Sequence, residues 1–96
     1  MRSIKLMADY QCHPLWEASP GQVGNIDPAT LPISPDLVAR LARWAHLYDA
    51  TLNWADPLSS GFKSQGDEAE FRRLGREIAE RLRNELGPDY ALQIKI

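Results

Sequence analysis

Apolar residues alternate at the two ends of this chain and recur at helical spacing between them. Ile4 and Leu6 alternate with Ser3, Lys5 and Met7 across residues 3–8, the period-two pattern of a half-buried strand. Tyr90, Leu92, Ile94 and Ile96 alternate with Ala91, Gln93 and Lys95 and predict a second, clearer strand over 90–96. From Leu37 the apolar positions Leu37, Leu41, Trp44, Ala45, Tyr48 and Leu52 form the stripe of a core-facing helix. Phe71, Leu74, Ile78, Leu82 and Leu86 form another, with Gly75 beside it to allow close approach of a neighbouring element.

Turn and cap residues divide these runs. Ser34-Pro35-Asp36 is a helix start: the serine accepts from orphan amides, proline suits the first helical position, and aspartate favours the positive end of the dipole. The helix should end near Trp54, before Asp56-Pro57. Residues 55–66 read as a loop, with Phe62 folding back onto the core. Asp67 should open the second helix with Glu70 as its capping-box partner, Glu77 and Arg81 should pair along it, and Gly87-Pro88 should stop it. Pro14 breaks the first strand pattern and pushes His13 away from helical geometry. Ser19-Pro20-Gly21-Gln22 has the type II turn signature, so 15–17 and 23–26 either form a small hairpin or belong to one long irregular loop. Pro28, Pro32 and Pro35 exclude regular structure from 27–35. The resulting expectation is an α+β two-layer sandwich over a single domain, 1–96. Two antiparallel helices pack on a small, mainly antiparallel sheet, in which the first and last strands pair, most simply antiparallel to one another.

Composition narrows the function classes. The chain has 96 residues, 44% hydrophobic and 25% charged, which is globular rather than disordered. A net charge of −2 and a pI of about 5.6 argue against direct nucleic-acid binding. The lone Cys12 excludes an intrachain disulfide and fits a reducing cytoplasm. The first seven residues hold too short an apolar run for a signal peptide, and no stretch approaches the length of a membrane span.

The unusual residues gather in LMADYQCHPLW, Leu6 to Trp16. Cys12-His13 invites an enzymatic reading with Asp9, but side chains adjacent in an extended chain point apart, and nothing fixes His46 nearby as a base. One cysteine and two histidines without ligand spacing do not make a zinc site, so no metal, cofactor or catalytic residue is assigned. Asp9 with Glu17, or Asp49 with Asp56, reads as solvated acids rather than a catalytic pair. The arginines of the second helix alternate with glutamates and read as a mixed solvated face.

Charge placement says more. No lysine or arginine occurs between Lys5 and Arg40, a span that carries Asp9, Glu17, Asp27 and Asp36 with Tyr10 and Trp16 among them. Asp49 and Asp56 flank Asn53 and Trp54. If these meet in space they make an acidic face with aromatic anchors, suited to a basic protein partner. Trp44, on a helix stripe, reads as core; Trp16 and Trp54 read equally as core or as anchors.

The segment LMADYQCHPLW, with NIDPATLPIS and YDATLNWADPLSSGF downstream, resembles small bacterial immunity proteins of polymorphic toxin systems, contact-dependent growth inhibition being the best-known setting. The matching positions are Asp9, Tyr10, Cys12, Pro14, Leu15 and Trp16, then Tyr48, Asp49, Asn53 and Trp54, then Gly61 and Phe62, spanning nearly the whole chain. The resemblance implies a cytoplasmic, non-enzymatic inhibitor. It would form a heterodimer with a cognate toxin domain, a basic nuclease such as an RNase, and would touch neither nucleic acid nor membrane. On that reading the partner-binding residues are Asp9, Tyr10, His13, Trp16, Glu17, Asp27, Asp49, Asn53, Trp54 and Asp56. The alternatives are a small cytoplasmic enzyme using Cys12 or His13, and a regulatory interaction domain with no toxin partner.

Overall fold

The computed structural model describes residues 2–52, 61–62 and 64–96. In chain order these form β1 (Arg2–Leu6), β2 (Leu15–Glu17), β3 (Asn25–Ile26), a 3₁₀ turn (Pro28–Thr30), α1 (Pro35–Asp49), α2 (Gln65–Leu86) and β4 (Tyr90–Ile94). The strands form a mixed sheet in the order β3-β2-β1-β4. Ile4, Leu6 and Leu15 from the sheet are fully buried with Leu37, Leu41 and Leu82 from the helices. Sheet and helices therefore share a core, in the α+β arrangement expected.

The hairpin is present. β1 pairs antiparallel with β2, Leu6 opposite Leu15, and β2 pairs antiparallel with β3, Leu15 opposite Ile26. Gly21 has φ 78° and Gln22 donates its N–H to the Ser19 carbonyl at 3.0 Å, closing the expected turn.

The pairing of the first and last strands differs from expectation: β1 and β4 run parallel, with Ile4 opposite Leu92 and Leu6 opposite Ile94. The cause lies in the proline-rich segment. Ser34, at the start of α1, donates its N–H to Glu85 near the end of α2 at 2.6 Å, while Trp44, late in α1, stacks on Phe71, early in α2, with centroids 4.6 Å apart. The helices are therefore antiparallel. Residues 27–34 carry the chain from the β1–β2 turn end of the sheet to the opposite end, so α2 finishes beside the start of β1. There Arg2 donates its N–H to the Asp89 carbonyl at 3.1 Å, and β4 leaves in the same direction as β1.

Several boundaries also move. α1 stops at Asp49 rather than near Trp54, because the Thr51 hydroxyl and N–H both donate to the Tyr48 carbonyl, at 2.7 and 3.0 Å, and tighten the last turn. α2 begins at Gln65 under a Ser64 cap, whose Oγ accepts from the Asp67 N–H at 3.1 Å; Glu70 pairs with Arg73 instead of capping. Arg81 turns away from Glu77 to Asp36 and Glu85, and Glu77 pairs with Arg73 at 2.6 Å. The segment 27–35 contains one 3₁₀ turn, capped by Asp27, whose Oδ1 accepts from the Ala29 N–H at 3.0 Å, with Pro28 in the first turn.

Trp44 is core, 1% exposed, and its indole N–H donates to the Phe71 carbonyl at 2.9 Å. Gly75 is the close approach that lets it fit: a Cβ there would lie 2.8 Å from Trp44 Cζ2 and 2.9 Å from Ile96 Cδ1. Phe62 folds back as expected, its ring 5.1 Å from Phe71.

Candidate partner-binding face

The loop between β1 and β2 is held at both ends. On the helix side, the Tyr10 ring stacks on Tyr48 with centroids 4.7 Å apart, and its hydroxyl lies 3.0 Å from Thr51 Oγ1. Gln11 takes the left-handed conformation, φ 58°, and donates its N–H to Asp49 Oδ1 at 2.8 Å. Asp9 turns back on its own loop, accepting from the Tyr10 N–H at 2.8 Å. Burial pushes the Tyr48 phenol up, with Tyr10 and the negative charge of Asp9 adding to the effect.

On the strand side, Asn25 spans the loop and β2. Its Oδ1 accepts from the His13 N–H at 2.8 Å, and its Nδ2 donates to the His13 and Leu15 carbonyls at 2.6 and 3.0 Å. Pro14 is fully buried beneath, and Met7 N–H donates to its carbonyl at 3.0 Å. Side chains of α1 and β3 thus hold the loop through the backbone of Gln11 and His13, which ties it down at both ends.

Between the loop, the 3₁₀ turn and the outward face of α1 lies an open cleft of about 310 Å³. Cys12, His13, Asp27, His46 and Asp49 lie at its wall, over a floor that includes Pro14, Val38 and Ala42. No lysine or arginine among the described residues lines it. Among the described residues, no ion pair engages Asp9, Asp27 or Asp49. The cap and loop roles of Asp27 and Asp49 each use one carboxylate oxygen for a backbone N–H, leaving net negative charge at the opening.

The sequence-predicted residues divide accordingly. His13, Asp27 and Asp49 meet at the cleft, with Asp9 and Tyr10 on the adjoining loop. Glu17 lies at the far end of β2 and holds Arg2 through both carboxylate oxygens, each at 3.1 Å, which neutralises its charge. Trp16 alternates with the buried Leu15 and so occupies the sheet face away from the helices; it is half-buried, and its indole N–H donates to the Met7 carbonyl at 2.9 Å. Asn53, Trp54 and Asp56 lie outside the described residues. Asn25 was not expected here, and His46, weighed beside Cys12 with nothing in the sequence to fix it there, lines the same cleft. His46 falls between the core positions of α1 and reaches the cleft only because the loop docks there, and no local pattern marks Asn25 as the clamp on the loop.

The thiol of Cys12 is free and half-buried. Among the described residues it has no hydrogen bond to His13, to His46 or to a carboxylate, so the cleft does not present an assembled nucleophile and base. No group of three or more histidine, cysteine, aspartate and glutamate side chains among the described residues is placed to hold a metal.

Residues 2–94 match the family model described as Serratia CdiI immunity protein-like. The chain belongs to this immunity-protein family. No curated protein matches it. The match covers every described strand and helix, so the fold above is that of a family member along essentially its whole length. Membership supports toxin neutralisation in general, a task of binding that such families generally perform without catalysis. No helix among the described residues is long and apolar enough to cross a membrane.

Proposed function

We propose that this immunity protein neutralises its cognate toxin domain in the cytoplasm by binding it as a heterodimer through the acidic cleft and the loop that walls it. The toxin is a nuclease with a basic surface. The observation that carries this reading is the meeting of Asp27 and Asp49, from separate elements, in a cleft that no lysine or arginine among the described residues lines. A nuclease domain concentrates positive charge where it holds phosphates, so such a cleft attracts it from a distance and favours one orientation. Asp9 extends the negative charge along the loop, and Tyr10, stacked on Tyr48, keeps the loop in place. The carboxylates steer, and the apolar floor of the cleft supplies burial once water leaves. Trp16 sits on the opposite sheet face and Glu17 is neutralised by Arg2, so neither belongs to the binding surface proposed here.

Co-expression with the product of the adjacent upstream gene tests the reading. Cells carrying both should survive, the two chains should co-purify at one to one, and the toxin domain alone should cleave nucleic acid. Failure of either rescue or co-purification removes the cognate partner, and a toxin without nuclease activity removes the nuclease.

A further inference from the structure

β4 is an edge of the sheet, and among the described residues no strand pairs with its open side. It contains no proline, and two of the exposed large apolar residues, Ile94 and Ile96, lie on or just beyond it, 38% and 36% exposed. The opposite edge, β3, is only two residues long. Arg2 donates its N–H to the Asp89 carbonyl at 3.1 Å, and Lys95 donates its N–H to the Leu6 carbonyl at 2.9 Å. In a parallel ladder this parity turns the backbone groups of Ala91 and Gln93 toward β1. Those of Tyr90, Leu92 and Ile94 face the open side.

We infer that β4 pairs antiparallel with β4 of a second copy of this chain, Leu92 opposite Leu92, to form a symmetric homodimer with one continuous sheet. Three features favour this occupant, and the last of them fixes the register. The pairing sets outward-facing residues against outward-facing residues: Leu92 against Leu92, and Tyr90 against Ile94, twice by symmetry. Tyr90 and Leu92 already pack against the core, and Ile94 follows them by strand alternation, so an aromatic residue meets a β-branched one on the helix side of the joined sheet. Asp89 then falls opposite Lys95 of the other copy, again twice. Shifting the centre by one residue, to Ala91 or Gln93, keeps the backbone parity but loses both opposite-charge pairs. The edge is thus complementary to itself in one register, which a strand of unrelated sequence would match only by coincidence.

Sedimentation equilibrium of the full chain over micromolar to submillimolar concentration tests this. A reversible monomer–dimer equilibrium is expected. Ile94→Pro removes an N–H that faces the open edge and leaves the ladder to β1 intact, so it should give a folded monomer. Asp89→Lys and Lys95→Glu should each weaken the dimer about tenfold by placing like charges opposite, and the double variant should recover it. The charge swap is informative even if the proline variant fails to fold. A wild-type monomer throughout the range, or a double variant no better than the singles, overturns the proposal. Loss of toxin binding in Lys95→Glu, with wild type monomeric, would assign the edge to the toxin and overturn it equally.

Discussion

Asp49 is shared between the fold and the proposed site. Its Oδ1 holds the Gln11 N–H at the end of α1, and its charge faces the cleft. Asp49→Asn keeps an acceptor and removes the charge, whereas Asp49→Ala removes both. Chemical denaturation should find the asparagine variant close to wild type and the alanine variant less stable by about 1 kcal/mol; equal losses would show that the hydrogen bond is not what the side chain contributes. Cys12 stands in contrast. It lines the same cleft without a hydrogen-bonded base among the described residues, so Cys12→Ala should protect cells as well as wild type does, and loss of protection with an unchanged circular dichroism spectrum would make the thiol a reacting group. The sequence made the acids visible, through a long span without lysine or arginine. It could not reveal that Glu17 is cancelled, because Arg2 reaches it only when β1 and β2 pair in register.

At the scale of elements, the two helices meet at a glycine and at a charged junction. Gly75→Ala gains about 1 kcal/mol of helix propensity but pushes a methyl group against Trp44, which stacking and a buried hydrogen bond hold in place. The clash should win, lowering stability by about 1–2 kcal/mol in a denaturant melt; a stabilised variant would mean that the indole yields. At the junction, the Ser34 N–H holds Glu85 below the usual carboxylate range, and the Arg81 guanidinium does the same for Asp36. Lowered folded values mean that this contribution is fully present above the ordinary carboxylate range. It is lost as pH falls through that range toward the folded values. Thermal melts from pH 7 to pH 3 should therefore show a shallower acid decline for Glu85→Gln than for wild type, and parallel declines would remove Glu85 from the acid response. Periodicity located both helices, since Leu37 to Tyr48 and Phe71 to Leu86 are read directly from the stripe. The caps were harder: Ser64, not Asp67, closes the start of α2, because a short serine placed three residues ahead of an N–H outcompetes an acid already inside the first turn.

For the whole molecule, the layers were legible in sequence and the hairpin was one of two readings, while the direction of β4 was not legible. Three prolines within 27–35 announce an irregular segment, but only its path, from the cleft at Asp27 to the Glu85 junction at Ser34, decides that β4 runs parallel to β1. The same path places Asp27 against the loop and α1, so the topology that was not foreseen is also what assembles the acidic cleft. The most direct test of the cleft is the association rate of this protein with its toxin domain, measured by stopped flow over a series of salt concentrations. Asp27→Asn with Asp49→Asn, which retains both side-chain acceptors for the Ala29 and Gln11 N–H groups, should bind about tenfold more slowly at low salt and show a shallower salt dependence than wild type. Identical rates and slopes for the two proteins would contradict the account.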